Sequence, residues 1–190
     1  MVYLDKIGLA GRGFARAFPF IVPFFSLVLG IIFEKMVGIY FCFLAYGLDL
    51  LNHTTKGVMR KIYGDVDSFP IIGRGKRPNG ARHCGVFVEE DGDGLSTGFG
   101  MPSGHAQIAM ITMVFWIMYL LDNKGHTDRT YMSIGLIAFI CLGIVVSRVY
   151  LGCHTVQQVI IGSMIGIGFG WLGYKFYKIL KDKLQEQFTL

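Results

Sequence analysis

Gly100-Met-Pro-Ser-Gly-His-Ala-Gln-Ile-Ala-Met-Ile-Thr-Met-Val-Phe-Trp-Ile-Met-Tyr-Leu-Leu121 decides how this chain is read. From Ile108 the run is apolar enough for a membrane span, yet it opens on Pro102-Ser-Gly-His105. Proline is tolerated in the first turn of a helix, where its missing N–H costs nothing. Ser103 and Gly104 then leave backbone N–H groups free, and a helix start with free N–H groups binds anions. His105 adds a side chain that titrates near neutral pH. The stretch reads as a phosphate cradle with a proton donor beside it. The plainer alternative is a capped helix carrying an incidental histidine.

The rest of the chain sets the class. Of 190 residues, 53% are hydrophobic and 16% charged. Mean hydropathy is +0.50. These values exceed those of a soluble domain and fit one multi-pass membrane domain over 1–190. The net charge of +5 falls on loops and termini, not in a basic stripe, so no nucleic-acid partner is expected. No secretory signal pattern is present, because the apolar run from Phe18 meets Glu34-Lys35 without a small-residue cleavage site. Insertion by the chain's own helices is expected. Cys42 and Cys141 lie in apolar runs and read as packing residues, while Cys84 and Cys153 lie in polar segments and could pair on an oxidising side.

Hydropathy predicts an all-α transmembrane bundle of about five spans. The lead-in alternates Lys6, Arg12 and Arg16 with Ile7, Leu9 and Phe14, which suits a helix at headgroup level or a loose terminus. The first span is expected over 17–33, with Pro19 and Pro23 in its first turns. The second runs from Met36 towards Thr55. Near its end Asp49, Asn52, His53 and Lys56 share one helical face, either turned to a water-filled site or already beyond the bilayer. Residues 57–100 form a long polar loop with Arg74, Lys76, Arg77 and Arg82, then Glu89, Glu90, Asp91 and Asp93. Asp91-Gly-Asp-Gly94 begins like a calcium loop but lacks the glutamate at its twelfth position, so the acidic cluster reads as a solvated face. The third span ends at Leu121, the fourth covers 131–149, and His154 opens a fifth that reaches about Leu180. Gly162, Gly166 and Gly170 give that helix a flat face for close packing.

Five spans bring the end of the second, the start of the third, the end of the fourth and the start of the fifth to one membrane face. Lys56, Arg77, Ser103, Gly104, His105, Arg148 and His154 can therefore converge there. The two arginines grip phosphate oxygens bidentately from different segments, and Lys56 adds a point charge. N–H groups at Ser103 and Gly104 stabilise charge on the equatorial oxygens. His154 is the expected nucleophile. Gln158, one turn on, accepts a hydrogen bond from one ring N–H and leaves the other nitrogen aimed at phosphorus. His105 protonates the leaving oxygen and then activates water. The cations and N–H groups already neutralise phosphate, so neither metal nor other cofactor is called for.

Arg77-Pro78, Pro102-Ser-Gly-His105 and Ser147-Arg-Val-Tyr-Leu-Gly-Cys-His154 resemble the three motifs of the type 2 phosphatidic acid phosphatase superfamily of membrane lipid phosphatases. The resemblance covers roughly 50–170. It departs from the family in two places. The family's first-motif lysine stands seven residues before the arginine, where this chain has Pro70. Asn52 and Lys56 look like the usual run-up to that motif, which implies an insertion before Arg77; Lys76 or Arg74 could instead supply the charge. Gln158 stands where the family commonly has aspartate. Glutamine there, with Gly100-Met-Pro-Ser and Gln107, looks most like the dolichyl-diphosphate phosphatase branch, near glucose-6-phosphatase.

The resemblance implies hydrolysis of a lipid-linked phosphate or diphosphate, with polyprenyl diphosphate first, through a phosphohistidine. Phosphatidate or a soluble sugar phosphate is the alternative substrate. A catalytically weak protein that binds phospholipid headgroups is the alternative from another class. Lys175, Lys178, Lys181 and Lys183 favour a cytosolic C-terminus, which puts the site on the lumenal face of the endoplasmic reticulum or the periplasmic face of a bacterial inner membrane. The basic N-terminus points the other way.

Overall fold

The computed structural model describes residues 2–63, 75–85, 94–96 and 98–188. Five helices account for most of them: α1 (Val2–Ile32), α2 (Met36–Tyr63), α3 (Gly104–Lys124), α4 (Asp128–Tyr150) and α5 (Val156–Phe188). Each holds a segment long and apolar enough to cross a bilayer. Among the described residues there is no strand, only the isolated bridges Lys76–Phe99 and Arg82–Leu95. The all-α bundle expected from hydropathy is what forms.

α3 is the axis. Its residues Ile108, Ile111 and Phe115 are buried against Phe41 and Leu48 of α2, Cys141 and Ile144 of α4, and Tyr174 of α5. Outward-facing side chains such as Phe43, Phe139 and Met164 are large, apolar and exposed, as a lipid-facing surface requires. The glycine face of α5 packs on α3. A Cβ at Gly162 would strike the Ser103 carbonyl, one at Gly166 the Gln107 carbonyl, and one at Gly170 the Val114 side chain. These contacts set how closely the two helix starts approach. Cys42 and Cys141 are buried and free.

Two boundaries differ from expectation. The lead-in is no separate element, because α1 runs unbroken from Val2, so Pro19 and Pro23 lie in its interior. The nearest apolar window begins at Ala10, and propensity alone did not reveal that the helix continues upstream of it. His154 also does not open α5. Thr155 caps it: the Gln158 N–H donates to Thr155 Oγ1 at 3.3 Å, and Gln158 Oε1 accepts from the Thr155 N–H at 3.3 Å. This is a capping box, Thr-x-x-Gln, and it starts the helix at Val156. The acidic cluster Glu89–Asp93 and Arg74 lie outside the described residues.

Candidate active site

Of the residues expected to converge, Lys56, Arg77, Gly104, His105 and His154 line one cavity at one end of the bundle, whereas Arg148 and Ser103 do not line it. A cavity of about 80 Å³ is lined by Asn52, Lys56, Arg77, Gly104, His105 and His154, with Pro19 and Phe20 of α1 as its far wall. At roughly 30 Å³ per water, that space suits a phosphoryl group.

Gln158 organises the histidine. Its amide Nε2 donates to the Lys76 carbonyl at 2.8 Å. A carbonyl only accepts, so Oε1 faces the other way, 3.0 Å from His154 Nδ1. Nδ1 therefore carries the ring proton and Nε2 keeps its lone pair. Arg77 Nη1 lies 3.2 Å from that Nε2, as a donor should. Gln158 is fully buried, and a Cβ at Gly100 would overlap its amide, so the loop closes tightly over it. His154 is held well below its ordinary pKa by burial first, then by the charges of Arg77 and Lys56. Its ring is neutral at physiological pH, as a nitrogen nucleophile must be.

His105 is fixed by a group that the sequence did not suggest. Its Nε2 lies 3.1 Å from the backbone carbonyl of Arg16. Nε2 is thus the protonated nitrogen, and Nδ1 is left to exchange a proton. The Arg16 guanidinium donates to the Gly85 carbonyl at 3.1 Å. Read as a lead-in charge, Arg16 gave no sign of this role, because the contact is made by its main chain across 89 residues.

Among the described residues neither Arg77 nor Arg148 is paired with a carboxylate. Arg148 is fully buried; Nη1 donates to the Cys84 carbonyl at 3.1 Å, while Nε and Nη2 have no partner among the described residues. Arg77 Nη1 donates to the Cys153 carbonyl at 3.1 Å, and its Nε is buried without a partner among the described residues. Burial lowers the Arg77 pKa to about 10, which leaves it charged near neutrality. Lys56, on α2, lines the cavity with Asp49 and His53, and Asp49 Oδ2 sits 3.8 Å from His53 Nε2. Asn52 Nδ2 donates to Gln107 Oε1 at 2.7 Å, tying α2 to the first turn of α3.

The cradle is narrower than expected. Ser103 is fully buried, its N–H donates to the Gln158 carbonyl at 3.1 Å, and its hydroxyl caps α3 through the Ala106 N–H at 3.5 Å. That N–H was expected to be free and is not. The main-chain groups left for an anion are those of Gly104 and His105 in the first turn. Gly104 lines the cavity, and Ser103 does not.

The PAP2 superfamily model matches residues 67–182, more than half of the chain. "Dolichyldiphosphatase 1" of Dictyostelium discoideum is 34% identical over 79 residues, 40% of this chain and 34% of that protein. "Dolichyldiphosphatase" of Saccharomyces cerevisiae is 25% identical over 167 residues, 86% of this chain and 62% of that protein. The matched stretches thus span less than two thirds of either relative. No solved structure matches.

Proposed function

Given that this chain belongs to the PAP2 superfamily, we propose that it is an integral membrane phosphatase acting on a lipid-linked phosphate, with polyprenyl diphosphate the first substrate to test. The observation that carries this reading is the set of buried guanidinium N–H groups on Arg77 and Arg148, unmatched by any described carboxylate, around a histidine with a bare nitrogen. Burying such charge costs several kcal/mol unless an anion arrives to meet it. The two dolichyldiphosphatase relatives favour a diphosphate on an isoprenoid tail.

In the proposed reaction, the bound phosphoryl group draws Arg77 away from His154 Nε2. That nitrogen attacks phosphorus as the bond to the leaving oxygen breaks. Arg77, Arg148, Lys56 and the Gly104 N–H hold the equatorial oxygens. His105, its Nε2–H on the Arg16 carbonyl, takes up a second proton at Nδ1 as the anionic substrate binds and offsets the surrounding cations, and passes that proton to the leaving oxygen. Water then gives that proton back to His105 and attacks the phosphohistidine, releasing inorganic phosphate and restoring His154. Gln158 holds the ring throughout.

The Cys84–Cys153 disulfide supports placing the site on the lumenal or periplasmic face, since disulfides persist in oxidising compartments. The test is phosphate release from an isoprenoid diphosphate, phosphatidate and a sugar phosphate, each in excess chelator and with vanadate as inhibitor. Release from the isoprenoid substrate first, unaffected by chelator, is expected. Turnover of none of the three, with headgroup binding retained, would leave the weak-binder reading standing.

A further inference from the structure

The two arginines assigned to the phosphate each donate to the backbone carbonyl of one half of a single disulfide. Cys84 and Cys153 are 69 residues apart and bonded to each other. Each is buried, packed with Ala81 and Leu151 in a small cluster separate from the main core. The Cys84 carbonyl accepts from Arg148, which ends α4. The Cys153 carbonyl accepts from Arg77, which belongs to the loop. The contacts are crossed: each cysteine grips the arginine from the other's segment. His154 follows Cys153 directly, and Gly85, which follows Cys84, accepts from Arg16, whose own carbonyl fixes His105.

We propose that the Cys84–Cys153 disulfide is the positioning element of the phosphate clamp, so that anion affinity at this site depends on the disulfide being closed. The inference rests on the phosphatase reading above. Without the bond, what ties Cys84 to the α4–α5 turn among the described residues is the hydrogen bonds and the small cluster with Ala81 and Leu151. Two long side chains would then have to hold their geometry against their own rotamer freedom and mutual repulsion. A hydrogen bond to a charged group contributes enough that releasing one weakens binding by roughly tenfold or more. No chemical step changes: the cysteines touch neither the anion nor the reacting atoms.

The test measures orthovanadate binding to the purified full chain in detergent, oxidised and after reduction with dithiothreitol and anaerobic removal of the reductant (which would itself reduce vanadate), beside the Cys84→Ser/Cys153→Ser double variant. Tryptophan fluorescence and gel filtration report the folded fraction. The expected result is a vanadate constant weakened roughly tenfold or more on reduction and in the double variant, with the folded fraction kept and affinity restored on reoxidation. Cys42→Ser, remote from the site, should bind as the parent does. Two outcomes overturn the inference: unchanged affinity on reduction, or a loss of folded protein in which the surviving fraction binds with parental affinity. No vanadate binding by the oxidised parent would instead remove the phosphatase reading on which it stands.

Discussion

Lys178 and Arg148 sit near opposite membrane faces, and the fold treats their charges in opposite ways. Lys178 meets Asp122 at 3.0 Å and Lys181 meets Asn123 at 3.1 Å, both within reach of water, while the buried Tyr174 donates to the same carboxylate at 2.9 Å. Arg148 is sealed inside with one backbone carbonyl and two N–H sites unmet among the described residues. A surface pair contributes little and costs little, whereas an unpaired buried cation is a liability. A fold keeps such a liability where something else supplies the missing charge. The first end is structural by this criterion and the second is functional, and mutations should separate them.

The widest separation is expected at His154. Its bare Nε2 is the group assigned to bond phosphorus, so His154→Ala should lose turnover with every leaving group. Acid-labile phosphate trapped by rapid quench should be present in the parent and absent in the variant. Label that persists there would move the nucleophile elsewhere. Its depressed pKa carries a sign for stability as well. The folded ring stays neutral where the unfolded one takes a proton, so below about pH 6.5 the unfolded state binds more protons and stability falls with pH.

His105→Ala comes next. Its Nδ1, left free by the Arg16 carbonyl, is assigned to protonate the leaving oxygen. Loss of that proton should cost roughly two to four orders of magnitude for an alkyl phosphate leaving group. A nitrophenyl ester, which leaves without help, should recover much of it. Equal losses on both substrates would make His105 a binding or packing residue.

Gln158 sharpens the comparison within the site itself. Its side chain orients His154, caps α5 through Thr155 and ties down Lys76, beside Arg77. Gln158→Leu removes all three and should lower kcat by about ten- to a hundredfold, in the range seen when a ligand's orienting partner is removed. Gln158→Glu keeps both acceptor roles, adds a charge that steadies the imidazolium and gives up only the donor to Lys76. It should keep kcat near the parent value while raising KM. If both variants fall alike in kcat, the amide does more than orient.

How much of this could be read beforehand depended on distance along the chain. The span count, the glycine face of α5 and the pairing of His154 with Gln158 follow from residues a few positions apart. The capping box Thr155-Val-Gln-Gln158 is local in the same way, its two partners three positions apart. Pro19 and Pro23 argue locally for a helix start, and proline cannot announce that a helix continues through it. The Arg16 carbonyl, the crossed carbonyls of Cys84 and Cys153 and the occupied Ser103 N–H had no signature at all. Each is a main-chain group, identical in every residue, and only the fold decides what it faces.

The smallest effect is expected at the opposite end, and its smallness is what the comparison requires. Asp122 and Lys178 are 43% and 53% exposed, so water competes for both charges. Asp122→Asn removes the ion pair yet leaves an oxygen that can still accept from Tyr174 and Lys178. The cost in stability should be at most about 1 kcal/mol, in the range of exposed pairs, and should shrink further in high salt. Turnover should not change, since about twenty residues of α5, roughly 30 Å of helix, lie between Lys178 and the end that carries His154. Arg148→Met at the other end should behave inversely, abolishing phosphate binding while leaving the fold no less stable, because it exchanges an unpaired buried charge for an apolar side chain of similar length. Thermal denaturation and phosphate affinity, measured on both variants, give a two-by-two comparison. If Arg148→Met unfolds the chain while Asp122→Asn impairs catalysis, the division between a structural end and a functional end fails.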